Sequence, residues 1–203
     1  ASKAIRFEGD GYGDEWVKEA EKRGLSNVKT TPHALDFYVN DKAKEQFTEA
    51  RVMNEVEVAA RHEIMLEEYA KKIQIESRVL GDMAGNHIVP TAIAYQNKLI
   101  QNVKGLKAVL SDQVYNKVAK DQLQMIEQIS GYISTIISEK EKMIEARKEC
   151  NKIEDTRKLA IAYCDKIIPF FDKIRYACDK LELLVDDELW PLPKYREMLF
   201  MGS

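Results

Sequence analysis

The amino-acid sequence predicts an all-α protein, a bundle of long antiparallel helices preceded by an N-terminal segment of short helices. Apolar residues recur at every third and fourth position over long stretches, which is the spacing of one helix face. The 203 residues include only nine Gly and five Pro, and 32% of them are charged, as is typical of helix-rich proteins. We expect residues 1–50 to form the short-helix segment and residues 51–203 to form the bundle.

Composition and charge exclude several function classes. The formal net charge is −3, so no nucleic-acid partner is expected, because such partners usually require a strongly basic face. No membrane contact is expected either, since no apolar run approaches the length of a membrane span. The three cysteines lie on apolar helix faces, which favours a reducing, cytoplasmic setting. Because the first residue is Ala rather than Met, we expect a piece of a longer protein.

The N-terminal segment carries short, separate signals. Residues 3–8 alternate apolar and charged side chains, so the sequence allows a lone strand there with Ile5 facing inward. A glycine-rich turn follows at residues 9–13. Asp14 is the expected cap of a short helix, which Gly24 should close.

Capping signals also mark the starts of the next helices. Thr31, followed by proline, predicts one helix start, and Asn40 or Asp41 predicts another. Asn54 and Glu57 have the spacing of a capping box in front of a long helical pattern.

The helical pattern that starts at Asn54 continues to about Leu110. Pro90 should bend or break it, because proline lacks the backbone N–H and crowds the preceding turn. Gly81 and Gly85 should loosen the helix before that point.

The next two long helices are predicted to form an antiparallel hairpin. The first is capped by Ser111 or Asp112, and a short polar link at residues 151–156 joins it to the second. Its expected core positions recur at heptad spacing. They are Ile126, Ile129, Ile133, Ile136, Met143 and Cys150, with Ile137 and Ile144 beside them.

The last helix, residues 155–188, has a broad apolar face that requires two or more partner helices. Pro169 should kink it, and the prolines that follow Trp190 should stop it. The first apolar row is Ala160, Tyr163, Ile167, Phe170, Ile174, Ala177, Leu181 and Leu184, and the second is Cys164, Phe171, Cys178 and Val185.

The residues that could carry chemistry favour structural roles. The glycines at 9, 11 and 13 lack the spacing of a dinucleotide-binding loop, so a plain turn is expected. His62 is followed by Glu63, but position 66 is Leu rather than the second His of a zinc helix. We expect His87 to be a polar residue of a bundle layer or of the bend at Pro90.

Cysteine and charge pairs are interpreted in the same way. Cys164 and Cys178 share one helix face several turns apart, which favours packing over redox chemistry. Arg61 and Glu63 are the one place where we look for a buried ion pair, although a solvated or interface pair is the favoured interpretation. His33 is far in sequence from the other histidines. No catalytic, cofactor-binding or metal-ligating residue is predicted anywhere in the chain.

Several blocks of the sequence resemble type III glutamine synthetases, in the segment that follows their catalytic domain. The blocks are IRFEGDGYGDEW at 5–16, EAEKRGL at 19–25, TTPHAL at 30–35, RHEIMLEEY at 61–69 and VDDELWPLPKYREMLF at 185–200. They occur in family order over nearly the whole chain. The sequence departs from the family only in detail, with Gly13 in place of a frequent Ser and His33 in place of a frequent acid.

The resemblance implies a parent enzyme that ligates ammonia to glutamate through a γ-glutamyl phosphate, using ATP and Mg²⁺ or Mn²⁺. Family members are large ring-stacked oligomers, and their active sites lie in an N-terminal β-grasp domain and a β-rich catalytic domain. Neither domain is in this chain, so the resemblance carries no catalytic, ATP or metal residue over to it. The implied partners are the chain's own catalytic domain and neighbouring subunits.

Two other functions stay open at the level of sequence. One is a stand-alone helical adaptor without enzymatic activity, which binds partner helices through its broad apolar face. The other is a small-molecule sensor that uses the bend between His87 and Pro90.

Overall fold

The computed structural model describes residues 5–200 of the chain, and within that range the secondary structure is helical and no strand forms. The all-α prediction is confirmed. The helices are α1 (Asp14–Lys22), α2 (Thr31–Leu35), α3 (Asp41–Glu49), α4 (Glu55–Asp82), α5 (Val89–Val109), α6 (Asp112–Val118), α7 (Lys120–Cys150), α8 (Thr156–Lys166), α9 (Ile168–Leu184) and α10 (Tyr195–Met198), with a 3-10 segment at Asp36–Val39 and a π-helical turn at Met83–Ile88.

The chain divides into two compact units, Ala1–Tyr69 and Ala70–Ser203. The point of division falls within α4. The division at residue 50 that the sequence indicates stays a prediction.

The expected lone strand at residues 3–8 is wrong for its described part, since residues 5–8 form no strand and Ile5 is exposed. Residues 3 and 4 lie outside the described range. The ring of Phe7 lies 4.9 Å from that of Trp16 on α1, centroid to centroid. A lone strand has no ladder partner for its backbone, so this ring contact rather than sheet pairing holds the segment.

Helix α1 starts one residue earlier than expected and ends at Lys22 rather than at the expected Arg23, but Gly24 closes it as predicted. Gly13 occupies the N-cap position, and Asp14 is the first helical residue. At the other end the N–H of Leu25 donates to the carbonyl of Ala20 at 2.8 Å, and Gly24 has φ +71°. This is the Schellman arrangement, which favours glycine because a positive φ is unstrained only there.

The other caps mostly follow the sequence. The N-cap of α2 is Thr30 rather than the expected Thr31. Asn40 caps α3, and its Oδ1 accepts an amide N–H at 2.8 Å. The capping box of α4 is confirmed: the N–H of Glu57 donates to Asn54 Oδ1 at 2.9 Å, and the N–H of Asn54 donates to Glu57 Oε2 at 2.8 Å.

The core of the second unit is built on the predicted hairpin. The turn at residues 151–155 sends α8 and α9 back along α7, and α5 packs against α7 as well. Side chains spaced by three and four residues fill the space between these helices, as one helix face requires. The buried predicted positions are Ile129, Ile133, Ile136, Met143 and Cys150 on α7, and Ala160, Tyr163, Ile167, Ile174, Ala177, Leu181, Cys178 and Val185 on the returning arm.

Other predicted core positions lie nearer the surface. Ile137 is exposed. Those that are only partly buried are Ile126, Ile144, Cys164, Phe170, Phe171 and Leu184.

The long helical stretches predicted from the sequence are divided at Ile167, at the π-turn Met83–Ile88 and at Ala119. The last one divides at Ile167, whose φ is −100°, so Pro169 lies in the first turn of α9 where its missing N–H leaves no bond unmade. Pro90 does not break its helix: the π-turn precedes it, and α5 begins at Val89. A separate break at Ala119 between α6 and α7 has no counterpart in the sequence prediction.

The final helix ends at Leu184, four positions before the expected residue 188. The chain beyond it is tied back by Lys194, whose Nζ donates to the carbonyl of Glu182 at 2.9 Å and pairs with Asp187. The described C-terminal residues are thereby attached to the end of α9.

Candidate functional site

An open groove of about 500 Å³ lies between α4 with its π-turn and α9. Ile75 and Val79, four residues apart on α4, are 60% and 50% exposed. Contiguous exposed apolar surface usually marks an interaction site. We call this surface the apolar groove; it is lined by Ile75, Val79, Leu80, Met83, Ile168 and Phe171, with Glu76, Asp172 and Arg175 at its rim.

The sequence places the residues of the apolar groove on one helix face but not at a surface. Phe171 was expected in the second buried row, yet it is only half-buried because it lines the groove. Ile168 and Phe171 are three residues apart and so share one side of the first turn of α9. The break at Ile167 sets the position of that turn.

A hydrogen-bonded polar cluster joins α4, α8 and the end of α7. The Tyr163 hydroxyl donates to Asn151 Oδ1 at 2.6 Å, and Gln74 Nε2 lies 3.0 Å from the same hydroxyl and 3.1 Å from the same Oδ1. Burial raises the pKa of Tyr163. Buried polar groups that are satisfied in this way fix the relative register of the elements that carry them. The core position of Tyr163 follows from its place on the apolar row, but the cluster has no signal in the sequence.

The glycine-rich turn at residues 9–13 is a local turn, as predicted. Asp10 Oδ1 accepts the N–H of Tyr12 at 2.9 Å, and the carbonyl of Asp10 accepts the N–H of Gly13 at 3.2 Å. These bonds within the turn use the donors that a phosphate loop would present to a ligand.

The three histidines have different surroundings. His33 Nδ1 is hydrogen-bonded to the hydroxyl of Thr30 at 2.9 Å. His87 lies in the π-turn before Pro90, as one of its two predicted placements had it, and is exposed. His62 Nε2 is buried and has no hydrogen-bond partner among the described residues.

Arg61 and Glu63 form no buried ion pair, because both side chains are exposed on α4, as the favoured interpretation as solvated positions requires. The better-buried ionic contact is Glu139 on α7, which binds Lys142 at 2.6 Å and Lys173 of α9 at 3.3 Å. The hydrogen bond from Lys142 and the nearby ammonium of Lys173 lower the pKa of Glu139. Hydrophobic periodicity does not report such a cross-helix pair.

The cysteines are free, and two of them are buried. Burial raises the pKa of Cys178 to about 12, so its thiol is not a ready nucleophile. Cys164, on the same face, is half-buried. The interpretation as packing residues agrees with this geometry.

A profile of the family described as "Glutamine synthetase C-terminal domain" matches residues 1–107 of this chain. The chain belongs to that family. A glutamine synthetase of Bacteroides fragilis is 46% identical to it over 200 residues, which are 98% of this chain and 27% of the relative. A type-3 glutamine synthetase of Dictyostelium discoideum is 30% identical over 97% of this chain and 27% of its own length.

A glutamine synthetase of Butyrivibrio fibrisolvens is also 30% identical, over 98% of this chain and 28% of its own length. The chain thus spans about a quarter of the glutamine synthetases that it matches. The resemblance drawn from the sequence blocks is confirmed, including its type III assignment.

The described part of this glutamine synthetase domain offers no cluster of side chains for the metal ion implied for the parent enzyme. Within residues 5–200 no group of three or more His, Cys, Asp or Glu side chains is placed to hold a metal ion. We therefore derive no catalytic step from these residues. Of the helices in that range, none combines the length and the apolar character that a membrane crossing needs.

Proposed function

We propose that this chain is the C-terminal helical domain of a type III glutamine synthetase and contributes no catalytic, cofactor-binding or metal-ligating residue. The whole enzyme would be a cytoplasmic ligase that joins ammonia to glutamate with ATP and Mg²⁺ or Mn²⁺, all bound outside this chain. The observation that supports this most is the 46% identity over 98% of the chain to 27% of a glutamine synthetase.

The domain would pack against the catalytic part of the enzyme and support assembly of a large homo-oligomer. The apolar groove is the surface that we assign to this packing, and its occupant is an apolar segment of the remaining polypeptide. Two facts support the assignment: Ile75 and Val79 are exposed, with no covering element among residues 5–200, and the relatives extend well beyond the matched quarter.

The absence of activity is tested with the purified chain of 203 residues. Glutamate, ammonia, ATP and Mg²⁺ or Mn²⁺ are supplied, and glutamine and phosphate are measured. We expect neither product above a blank without protein. Glutamine formation that copurifies with the chain through successive columns would contradict the proposal.

The packing role is tested in a chimera in which this chain replaces the matching stretch of the Bacteroides fragilis relative. Val79→Asp places a charge in the apolar groove, and we expect loss of the full oligomer by mass photometry, together with lower activity. The matched control is Val114→Asp on α6, where the valine is 46% exposed against 50% for Val79. An intact, active Val79→Asp chimera would refute the assignment of the groove.

A stand-alone adaptor would use the same exposed groove for a separate partner helix. It predicts that the chimera assembles equally well with and without the charge at Val79. The shared family and the length of the relatives favour the glutamine synthetase role over this one.

A further inference from the structure

A second cavity, of about 230 Å³, lies between α4 and α7 and shares no residue with the apolar groove. It has three cationic side chains and a single carboxylate. We call it the cationic cavity; it is lined by Ser77, Arg78, Gly81 and Asp82 of α4 and by Lys140, Ile144 and Arg147 of α7.

The two cations of α7 in this cavity lack the partners that their neighbours have. Lys142 and Lys148 each bind a glutamate three residues before them, at 2.6 and 2.7 Å. Lys140 and Arg147 have no acidic residue three or four positions away in either direction, so no such pair can form along the helix. In residues 5–200, neither has a carboxylate at ion-pair distance.

The acid of the cavity is partly engaged elsewhere. Asp82 Oδ1 accepts a hydrogen bond from the side-chain amide of Asn86. Arg78, four residues before Asp82, makes no ion pair within the described part of the chain. The balance of charge around the cavity is therefore positive, which attracts an anion.

A buried hydroxyl orients one of the guanidinium groups. Ser77 is fully buried, and its Oγ donates to the carbonyl of Gln74 at 2.7 Å. The same Oγ accepts a hydrogen bond from Arg147 Nη1 at 3.4 Å. Because a guanidinium has five N–H donors, Arg147 keeps the others available for a ligand.

Two glycines make room for the lysine. A Cβ at Gly81 would lie 3.6 Å from Lys140 Cγ, and a Cβ at Gly85 would lie 2.6 Å from Lys140 Nζ. The lysine stem thus lies directly on the backbone of α4, and its ammonium lies against the π-turn. Any side chain at Gly85 would displace that ammonium, since heavy atoms do not approach so closely.

We propose that the cationic cavity binds a phosphate-type oxyanion, either free or as the phosphate group of a small molecule. The guanidinium groups of Arg78 and Arg147 supply planar donor pairs that match two oxygens, and Lys140 supplies a compact charge. This binding is independent of the packing role proposed above, because it uses a different surface and needs no other part of an enzyme.

The test uses the chain of 203 residues and inorganic phosphate, titrated at constant ionic strength by calorimetry and by thermal unfolding. We expect saturable binding and a rise in Tm with phosphate concentration. Lys140→Met should weaken the affinity about tenfold, which corresponds to about 1.4 kcal/mol. Lys104→Met on α5 removes the same charge outside the cavity and should leave the affinity unchanged.

Gly85→Ala separates the geometry of the site from its charge. The variant keeps every cation, and it should fold because alanine suits a helix better than glycine. The added methyl group displaces the ammonium of Lys140, which should weaken phosphate binding. Phosphate affinity equal to wild type in both Gly85→Ala and Lys140→Met would overturn the proposal, as would equal losses in Lys140→Met and Lys104→Met.

Two further titrations under the same conditions test which kind of molecule supplies the oxyanion. Pyrophosphate should bind at least as tightly as phosphate if the ligand is a phosphate group on a larger molecule. Glutamate binding more tightly than both would overturn the assignment to phosphate chemistry. The absence of saturable binding for all three anions would overturn the site itself.

Discussion

The hydroxyl of Tyr163 on α8 donates a 2.6 Å hydrogen bond to Oδ1 of Asn151, the residue that ends α7. Gln74 of α4 donates to both groups. Three helices thus meet at one polar cluster, in which Tyr163 is buried, Gln74 is partly buried and Asn151 is exposed. The buried hydroxyl of Tyr163 therefore depends on the other two side chains for its partners.

Tyr163→Phe should lower the free energy of unfolding by about 0.5–1.5 kcal/mol, because it removes the hydrogen bonds that the buried hydroxyl makes with Asn151 and Gln74. Urea unfolding monitored by circular dichroism measures the change. Tyr176→Phe is the matched control: that residue is exposed on α9, and its cost should stay within about 0.5 kcal/mol. Equal costs for the two variants would mean that the cluster contributes nothing.

Leu181→Ala should cost about 2–5 kcal/mol, because the side chain is fully buried between helices and its loss leaves a cavity. Leu183→Ala, two residues away on the same helix, removes the same atoms from a side chain that is 79% exposed. Its cost should be below about 0.5 kcal/mol. The reverse order in urea midpoints would show that α9 presents its other face to the core.

The free energy of unfolding of the domain should depend on pH through the carboxyl group of Glu139. The hydrogen bond from Lys142 and the ion pair with Lys173 lower the pKa of this carboxyl below its ordinary 4.5. Its stabilising contribution is therefore complete above that pH and is lost as the pH falls through the lowered pKa.

Glu139→Gln should make the unfolding midpoint fall less steeply with acid below pH 4.5 than in the wild type. Thermal unfolding across a pH series measures this. Glu141→Gln removes the same charge from an exposed position on α7 and should keep the wild-type slope. A Glu139→Gln profile parallel to the wild type would exclude the contribution.

Asn54→Ala should destabilise the start of α4 by about 0.5–2 kcal/mol, because the amide of Glu57 loses its acceptor. Hydrogen exchange at that amide measures the effect directly. Asn54→Ser keeps an acceptor at the cap position and should retain most of the protection. Loss of protection in both variants would mean that the cap oxygen is not what protects the amide.

Features that depend on neighbours in the chain were predictable from sequence. The capping box of Asn54 and Glu57 and the terminating role of Gly24 formed as expected. So did the buried stripe from Ile129 to Cys150, since residues three and four apart must share a helix face.

Features that depend on distant residues were not predictable in the same way. Gln74 and Tyr163 are 89 positions apart, and no local pattern pairs them. Phe170 and Phe171 were both assigned to the core, yet both are partly exposed, and Phe171 lines the apolar groove. Because of this partial exposure, Phe170→Ala should cost less than the 3–5 kcal/mol that is typical of a fully buried phenylalanine.

The two candidate sites also combine features that the sequence predicts with features that only the structure shows. The missing acidic neighbours of Lys140 and Arg147 can be read from α7 alone. That Gly81 and Gly85 lie beneath Lys140 follows only from the way α4 crosses α7. The apolar groove likewise required the observed position of Phe171.

The π-turn at Met83–Ile88 holds one residue more than an α-helical turn would. Ala84, Ile88 and Ala92 are buried at successive steps of four residues, which is more than the 3.6 of an α-helical turn. Removal of one residue between positions 83 and 88 should therefore convert the wide turn into an ordinary α-helical one and keep the same faces of α4 and α5 in the core. Removal of a second residue would rotate α5 by about 100° and should destabilise the domain far more.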